Sequence, residues 1–361
     1  MLPATVRSCP QAFTRLLPLA AAALLTLAAG CGGDDGSSSG ATTAAATTAG
    51  TTRADRPVLR VGLVADDADL ESPALSALSE QGLERAEQRL NVESRVVHVD
   101  GPAALEAGLR DLAGEGFDLV LATGAGASEP VRRAATSFPD TRFALVGAED
   151  GKGAQRPPNV RGLRFEEQEA GYLVGYLAGL VVREQSRARQ TIGAVAGRRT
   201  PVVDRYVAGY LAGAKRAYPG VRMLTGYTGG FRDPASCKQA ALAQIARGAS
   251  VVFDVAGHCG EGAIDAARER NVWAIGLDAD QSRLGDFILT SALRNADVAV
   301  FETVKALKER RFSGGEDVVF DVGSGGVGVG TTSPEVPPDI VASLQALQDD
   351  LAAGRVTVPG T

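Results

Sequence analysis

The stretch Ala274-Ile275-Gly276-Leu277-Asp278-Ala279-Asp280-Gln281 decides the fold. A short apolar run gives way to two carboxylates and an amide. Runs of this length between polar segments are buried strands. In open α/β sheets ligands bind just beyond the carboxyl ends of such strands. Asp278, Asp280 and Gln281 therefore stand where a strand delivers hydrogen-bonding groups to a cleft. Asp also favours helix N-caps and turns, so one such end would carry little weight. Two similar ends occur earlier in the chain.

Working outward, the series is alternating strand and helix. Val58–Ala65 is a first strand ending in Asp66-Asp67. A helix over Ser76–Leu90 follows, with Glu84, Arg85, Glu87 and Arg89 on its charged face. Strands at 95–99, 118–122 and 142–146 alternate with helices at 101–114 and 129–137, and the third strand runs into Thr123-Gly124. This order with short turns predicts a doubly wound parallel sheet. After a strand at 159–165, the helix 166–182 carries Gly171, Gly175 and Gly179 on one face. Its apolar part is too short to span a bilayer, so it is expected to pack tightly on a sheet. Strands at 191–196, 222–228, 250–255 and 272–277, with helices at 203–218, 234–247 and 262–270, make a second α/β series. A late helix, 296–311, and a closing helix, 339–353, end the chain. Two series predict two lobes with a cleft between them.

The chain has 361 residues, enough for two domains. Its net charge is −6, and residues 1–30 hold Arg7 and Arg15 without an acid, so the remainder is more acidic still. Such a balance has no electrostatic footprint for nucleic acid. There are two histidines, His98 and His258, so a His-rich metal site is excluded; no metal and no cofactor is expected. Gly323, Gly325 and Gly328 fit G-x-G-x-x-G, but Thr331-Thr332-Ser333-Pro334 follows instead of a helix, and a loop is expected.

Residues 1–31 read as an export signal with a positive start, an apolar stretch from Leu16 to Ala29, and Ala28-Ala29-Gly30-Cys31 at its end. Cys31 is the expected lipidation site. An ordinary cleavage site beside a cysteine is the alternative. Residues 32–57 are mainly Gly, Asp, Ser, Ala and Thr with no large apolar side chain, and are expected to be a disordered tether. A flexible coil of that length spans on the order of 25–30 Å. The expected location is the extracytoplasmic face of the cell membrane, held by a lipid anchor. Outside residues 1–31 only Cys237 and Cys259 remain. An exported chain permits a disulfide, and both cysteines flank turns at one sheet edge, so a bond between them is expected. A pair of buried thiols is the alternative.

Several segments then resemble one family. They are Val61–Asp66, Phe165–Leu173, Gly230-Phe231-Arg232-Asp233-Pro234, Ala256-Gly257, Ile275–Gln281, Leu289–Arg294 and Gly325–Gly328. Together they resemble the basic membrane protein family of lipoproteins, which includes the purine nucleoside receptor A type of ABC-importer binding protein. The resemblance covers residues 58 to 330. It implies the type I periplasmic-binding-protein fold: two doubly wound parallel-sheet lobes joined by a three-crossover hinge. The lobes are expected at 58–165 with 279–312, and 166–278 with 313–361. It also implies a monomeric, non-enzymatic solute-binding protein that docks on an ABC permease and holds a nucleoside or similar small polar ligand between its lobes.

The ligand groups it implies are Asp66 at the first strand end, Phe231 stacking on a base, Asp278 on ribose hydroxyls, and Arg294 where the family usually has Lys. Asp67, Gly124, Asp233, Gly257, His258 and Asp280 complete the candidate set. Two positions depart from the family: Leu75 lies where a second stacking aromatic stands, and Gly147 where an acid often ends the strand. A ligand-sensing lipoprotein of the same fold is a second reading. A secreted nucleoside-processing enzyme is a third, without a nucleophile elbow, metal spacing or supported carboxylate pair.

Overall fold

The computed structural model describes residues 58–124, 126–147, 155–184 and 190–358. The expected signal, Cys31 and the expected tether lie outside the described residues. Arg56–Thr361 forms one compact unit built on two six-stranded sheets.

The first sheet contains β1 (Leu59–Asp66), β2 (Val92–Val99), β3 (Leu119–Thr123), β4 (Arg142–Val146) and β5 (Val160–Phe165). Between them run α1 (Pro73–Leu90), α2 (Pro102–Gly114) and α3 (Ser128–Ser137). The chain then passes through α4 (Glu167–Arg183) into the second sheet. There β6 (Thr191–Ala196), β7 (Arg222–Tyr227), β8 (Ala249–Val255), β9 (Trp273–Asp278) and β10 (Ile288–Arg294) alternate with α5 (Pro201–Ala217), α6 (Pro234–Ala246) and α7 (Glu261–Glu269). α8 (Ala296–Lys308) packs back on α1, and β11 (Asp317–Phe320) joins the first sheet. β12 (Val327–Val329) joins the second, and α9 (Pro338–Ala352) covers α4.

The spatial orders are β2-β1-β3-β4-β5-β11 and β7-β6-β8-β9-β10-β12. They are the same order twice, parallel throughout except for antiparallel β12. Parallel sheets need cover on both faces, which is why β3, β6 and β8 are buried along their whole length. The chain crosses between sheets after β5, after β10 and after β11, three times in all.

Two strands differ from the expected lobe boundaries. Residues 279–312 were expected in the first lobe, but Ile288–Arg294 pairs in parallel with β9, Ala292 opposite Leu277. Asp317–Phe320 pairs with Gly162–Phe165 of the first sheet rather than lying in the second lobe. The physical reason is that β10 continues the parallel series beside β9, and each sheet then ends in a short edge strand, β11 beside β5 and β12 beside β10. The chain therefore crosses one strand later than the Asp278 boundary suggests, and again two strands later. The glycine-rich segment is a turn and a short strand: Gly325 has φ +74° in the turn between β11 and β12, Gly328 lies in β12, and no helix starts directly after it.

The glycine face of α4 packs on a helix rather than directly on a sheet. A Cβ on Gly175 would lie 2.1 Å from the Tyr210 carbonyl oxygen, and one on Gly213 of α5 would lie 1.9 Å from that of Tyr172. The glycines let the two backbones meet. No helix among the described residues is long and apolar enough to cross a membrane. Cys237 on α6 and Cys259 in the turn after β8 form the expected disulfide, with Cα atoms 5.7 Å apart. Closing that loop contributes about 3 kcal/mol in the chain-entropy picture.

Candidate functional site

Each sheet reverses its strand order once, between β1 and β3 and between β6 and β8. Ligands of open α/β sheets bind at the carboxyl ends beside such points. Asp66 and Gly124 end the first pair; Gly197 and Gly257 follow the second.

Asp66 is buried, and its Oδ1 accepts hydrogen bonds from the Gly101 N–H at 2.8 Å and the Ala68 N–H at 3.0 Å. It lies against Gly124, where a Cβ would come within 3.0 Å of its own. Asp66 thus fixes the two turns that frame the first lobe's rim. Asp67 turns to the outer strand instead, pairing with His98 Nδ1 at 3.1 Å. The hydrogen bond to Asp67 raises the His98 pKa, against a small opposing effect of burial.

The segment after Asp67 crosses to the other lobe. The Leu70 carbonyl accepts from the His258 N–H at 3.1 Å. Glu71 accepts from the Thr200 hydroxyl at 2.8 Å. That hydroxyl in turn accepts from the Val203 N–H as the N-cap of α5, so its proton is committed to Glu71. The Ser72 hydroxyl accepts from the Arg294 guanidinium. Burial raises the Glu71 pKa, and the Thr200 bond pulls the other way.

Arg294 ends β10, only 1 % exposed, and anchors a chain of buried charges. It donates to Asp278 Oδ2 at 3.0 Å and lies 3.7 Å from Glu167 Oε1. Arg205 of α5 donates to the other Glu167 oxygen at 2.7 Å. The Tyr206 hydroxyl donates to Asp278 Oδ1 at 3.2 Å. Burial opposes the charge on Arg294, but the surrounding negative groups, Asp278 foremost, outweigh it and raise its pKa. Burial likewise raises the Glu167 pKa, with Arg205 and Arg294 pulling against it. Asp278 holds a left-handed backbone at φ +63°, rare outside glycine, as the strand turns into the cleft. With one bond on each oxygen, its carboxylate retains two free lone-pair directions.

Among the described residues, two cavities are lined by both lobes. The smaller, about 200 Å³, is lined by Ser72, Leu75, Gly124, Gly147, Arg198 and Arg294. The larger, about 650 Å³, is lined by α1 residues such as Pro73 and Leu78 and by Asp254, His258, Asp278 and Gln281. Ser72 and Arg294 line the smaller and Asp278, bonded to Arg294, the larger. Both departures from the family meet in the smaller cavity. A Cβ on Gly147 would lie 2.9 Å from Leu75 Cδ2, so a side chain at 147 would meet Leu75.

The other candidates divide. Gly257, His258 and Asp280 line the larger cavity. Gly257 has φ +55° and passes so close to Leu70 that a Cβ would lie 2.1 Å from its carbonyl oxygen. His258 pairs with Glu261 at 3.1 Å. Burial opposes the charge of Asp280, but bonds from Thr331 and Ser282 outweigh it and lower its pKa. Phe231 packs against Gly197, where a Cβ would lie 2.3 Å from its Cδ1, with the Arg198 guanidinium 5.6 Å from its ring centroid. Phe231, Asp66 and Asp67 are not among the residues lining either cavity. Asp233 caps α6, accepting from the Ala235 N–H at 3.0 Å.

Sequence reasoning missed Glu71, Ser72, Glu167, Arg205 and Asp254. Asp254 left a signal: it is a carboxylate inside the otherwise apolar run Val251-Val252-Phe253-Asp254-Val255. Burial pushes its carboxyl up to about 7; the charges of Asp278 and Glu261 act in the same direction and the Ala256 N–H against them.

Residues 60–360 match the family described as ABC transporter substrate-binding protein, PnrA-like. The ABC transporter nucleoside-binding protein BmpA of Lactococcus lactis subsp. cremoris is 28 % identical over 265 residues, 68 % of this chain and 72 % of that protein. An uncharacterised lipoprotein of Pyrococcus abyssi is 29 % identical over 276 residues, 73 % of this chain and 67 % of that protein. An ABC transporter solute-binding protein of Aeropyrum pernix superposes with a TM-score of 0.69 at 26 % identity, covering 84 % of this chain and 94 % of that one.

Proposed function

Because the chain belongs to the PnrA-like family of ABC transporter substrate-binding proteins, we propose that it is a lipid-anchored receptor that delivers a nucleoside or similar small polar ligand to an ABC permease. The observation that carries this reading is the cleft itself. Two lobes of the same strand order present their carboxyl strand ends to one gap, and a buried carboxylate, Asp278, lines it. A sugar offers hydroxyl donors, and Asp278 has lone pairs left to accept them in charge-assisted bonds. Lobe closure over the ligand supplies a form that a permease distinguishes, provided the ligand contacts both lobes. Cys31, followed by a polar segment, is the anchor in this reading, and the lipoprotein relative supports it.

Calorimetry on the purified full chain with adenosine, guanosine and inosine tests the proposal. Binding without turnover is expected. Asp278→Ala is expected to weaken it by roughly 10- to 100-fold, the worth of a hydrogen bond to a charged group. Asp278→Asn, which keeps the shape, controls for folding. A nucleoside that binds Asp278→Ala as tightly as the parent protein removes Asp278 from the site.

A further inference from the structure

We propose that the larger chamber of the cleft takes a cationic group of the ligand, an ammonium or guanidinium, against the Asp254 carboxylate. The inference rests on the cleft being the ligand site. It adds the chemistry that one chamber selects.

Size is the first argument. Small-molecule pockets span roughly 300–1,000 Å³. The chamber lined by Asp254, at about 650 Å³, falls in that range, and its neighbour at about 200 Å³ falls below it. The second argument is the carboxyl group itself. Asp254 is 4 % exposed and lines the chamber. Its Oδ1 accepts from the Ala256 N–H at 2.9 Å, while Oδ2 has no hydrogen-bond partner among the described residues. No cation of the described chain pairs with it. Gly260 leaves the space the carboxyl occupies: a Cβ there would lie 1.7 Å from Oδ1.

A purely structural role does not call for an acid. An asparagine at this position would accept the same backbone N–H without the cost of burying a carboxyl that has no counter-ion. The acid is useful where a cation arrives from outside. The remaining charges of the chamber agree. Asp278, Asp280, Glu261 and Asp265 face it with Asp254, against Arg268, Arg283 and the imidazole of His258. Arg268 is bonded to Asp265, His258 to Glu261 and Arg294 to Asp278, which leaves Asp254 and Asp280 without a cationic partner among the described residues, against Arg283. The chamber walls contain no Phe, Tyr or Trp.

Agmatine, which carries both an ammonium and a guanidinium, is the probe, with adenosine as the nucleoside arm. Calorimetry and thermal shift would be run at pH 7 on the full chain and on Asp254→Asn. Agmatine is expected to bind the parent protein and to bind Asp254→Asn roughly 10- to 100-fold more weakly. Binding is also expected to release protons, read as an enthalpy that varies with the ionisation heat of the buffer. That readout needs no variant and stands if Asp254→Asn fails to fold. Absence of agmatine binding, or equal binding to both proteins, overturns the inference. Adenosine binding without agmatine binding overturns it and leaves the nucleoside reading intact. Agmatine binding without adenosine binding supports it and removes the nucleoside from the function proposed above.

Discussion

Arg294→Met is expected to lower the unfolding free energy by about 3–5 kcal/mol, the usual cost of removing one partner of a buried ion pair. Arg294 is the cation that Asp278 shares with no other guanidinium, and one of two that face Glu167. Removing it leaves a buried carboxylate in β9 without compensation and frees the Ser72 hydroxyl, undoing one bridge between lobes. Arg294→Lys keeps the charge but loses the planar fork that reaches Asp278 and Ser72 together. It is expected to cost less and to retain the fold. Urea unfolding of the three proteins measures this. A loss below about 1 kcal/mol in Arg294→Met would mean the charge chain does not hold the cleft together.

The second large effect depends on pH. The Asp254 pKa rises from 3.8 to about 7 on folding. The folded protein therefore keeps a proton that the unfolded chain releases, and the stability this contributes is full below about pH 4. It is lost as pH rises toward 7. At about 1.4 kcal/mol per pH unit the whole displacement is worth ~4 kcal/mol. Asp254→Asn should match the parent protein near pH 4 and exceed its stability by up to about 4 kcal/mol at pH 8. Other acids, the buried Glu167 and the half-buried Glu71 and Glu169, shift in the same direction, so the difference between variant and parent isolates Asp254. A constant difference across that range, measured by urea unfolding at several pH values, would contradict the assignment.

Strand and helix were legible wherever the pattern was local. β6 was found to the residue, and β9 to within one, because each is a short apolar run bounded by polar residues. The disulfide was legible because only two cysteines remained outside the signal and both flank turns at one edge. The lobe assignment of β10 and β11 was not, because pairing depends on crossings that leave no mark on the strand itself. The charge chain was hidden for the same reason. Glu167, Arg205, Asp278, Arg294 and Ser72 lie on five separate segments, and only folding brings them together. Phe231 and Asp66 were implied by the family resemblance, Asp66 also by its place at a strand end. Their packing against Gly197 and Gly124 is a matter of backbone approach that a single sequence does not reveal.

Amide hydrogen exchange with and without adenosine, read over both lobes, tests the cleft most directly. Slowed exchange is expected together at Leu70–Ser72 in the first lobe and at Gly257–His258 and Asp278–Gln281 in the second. Those segments face each other across the gap or already touch. Protection confined to one lobe, or binding that leaves all three segments unchanged, would contradict a ligand held between the lobes.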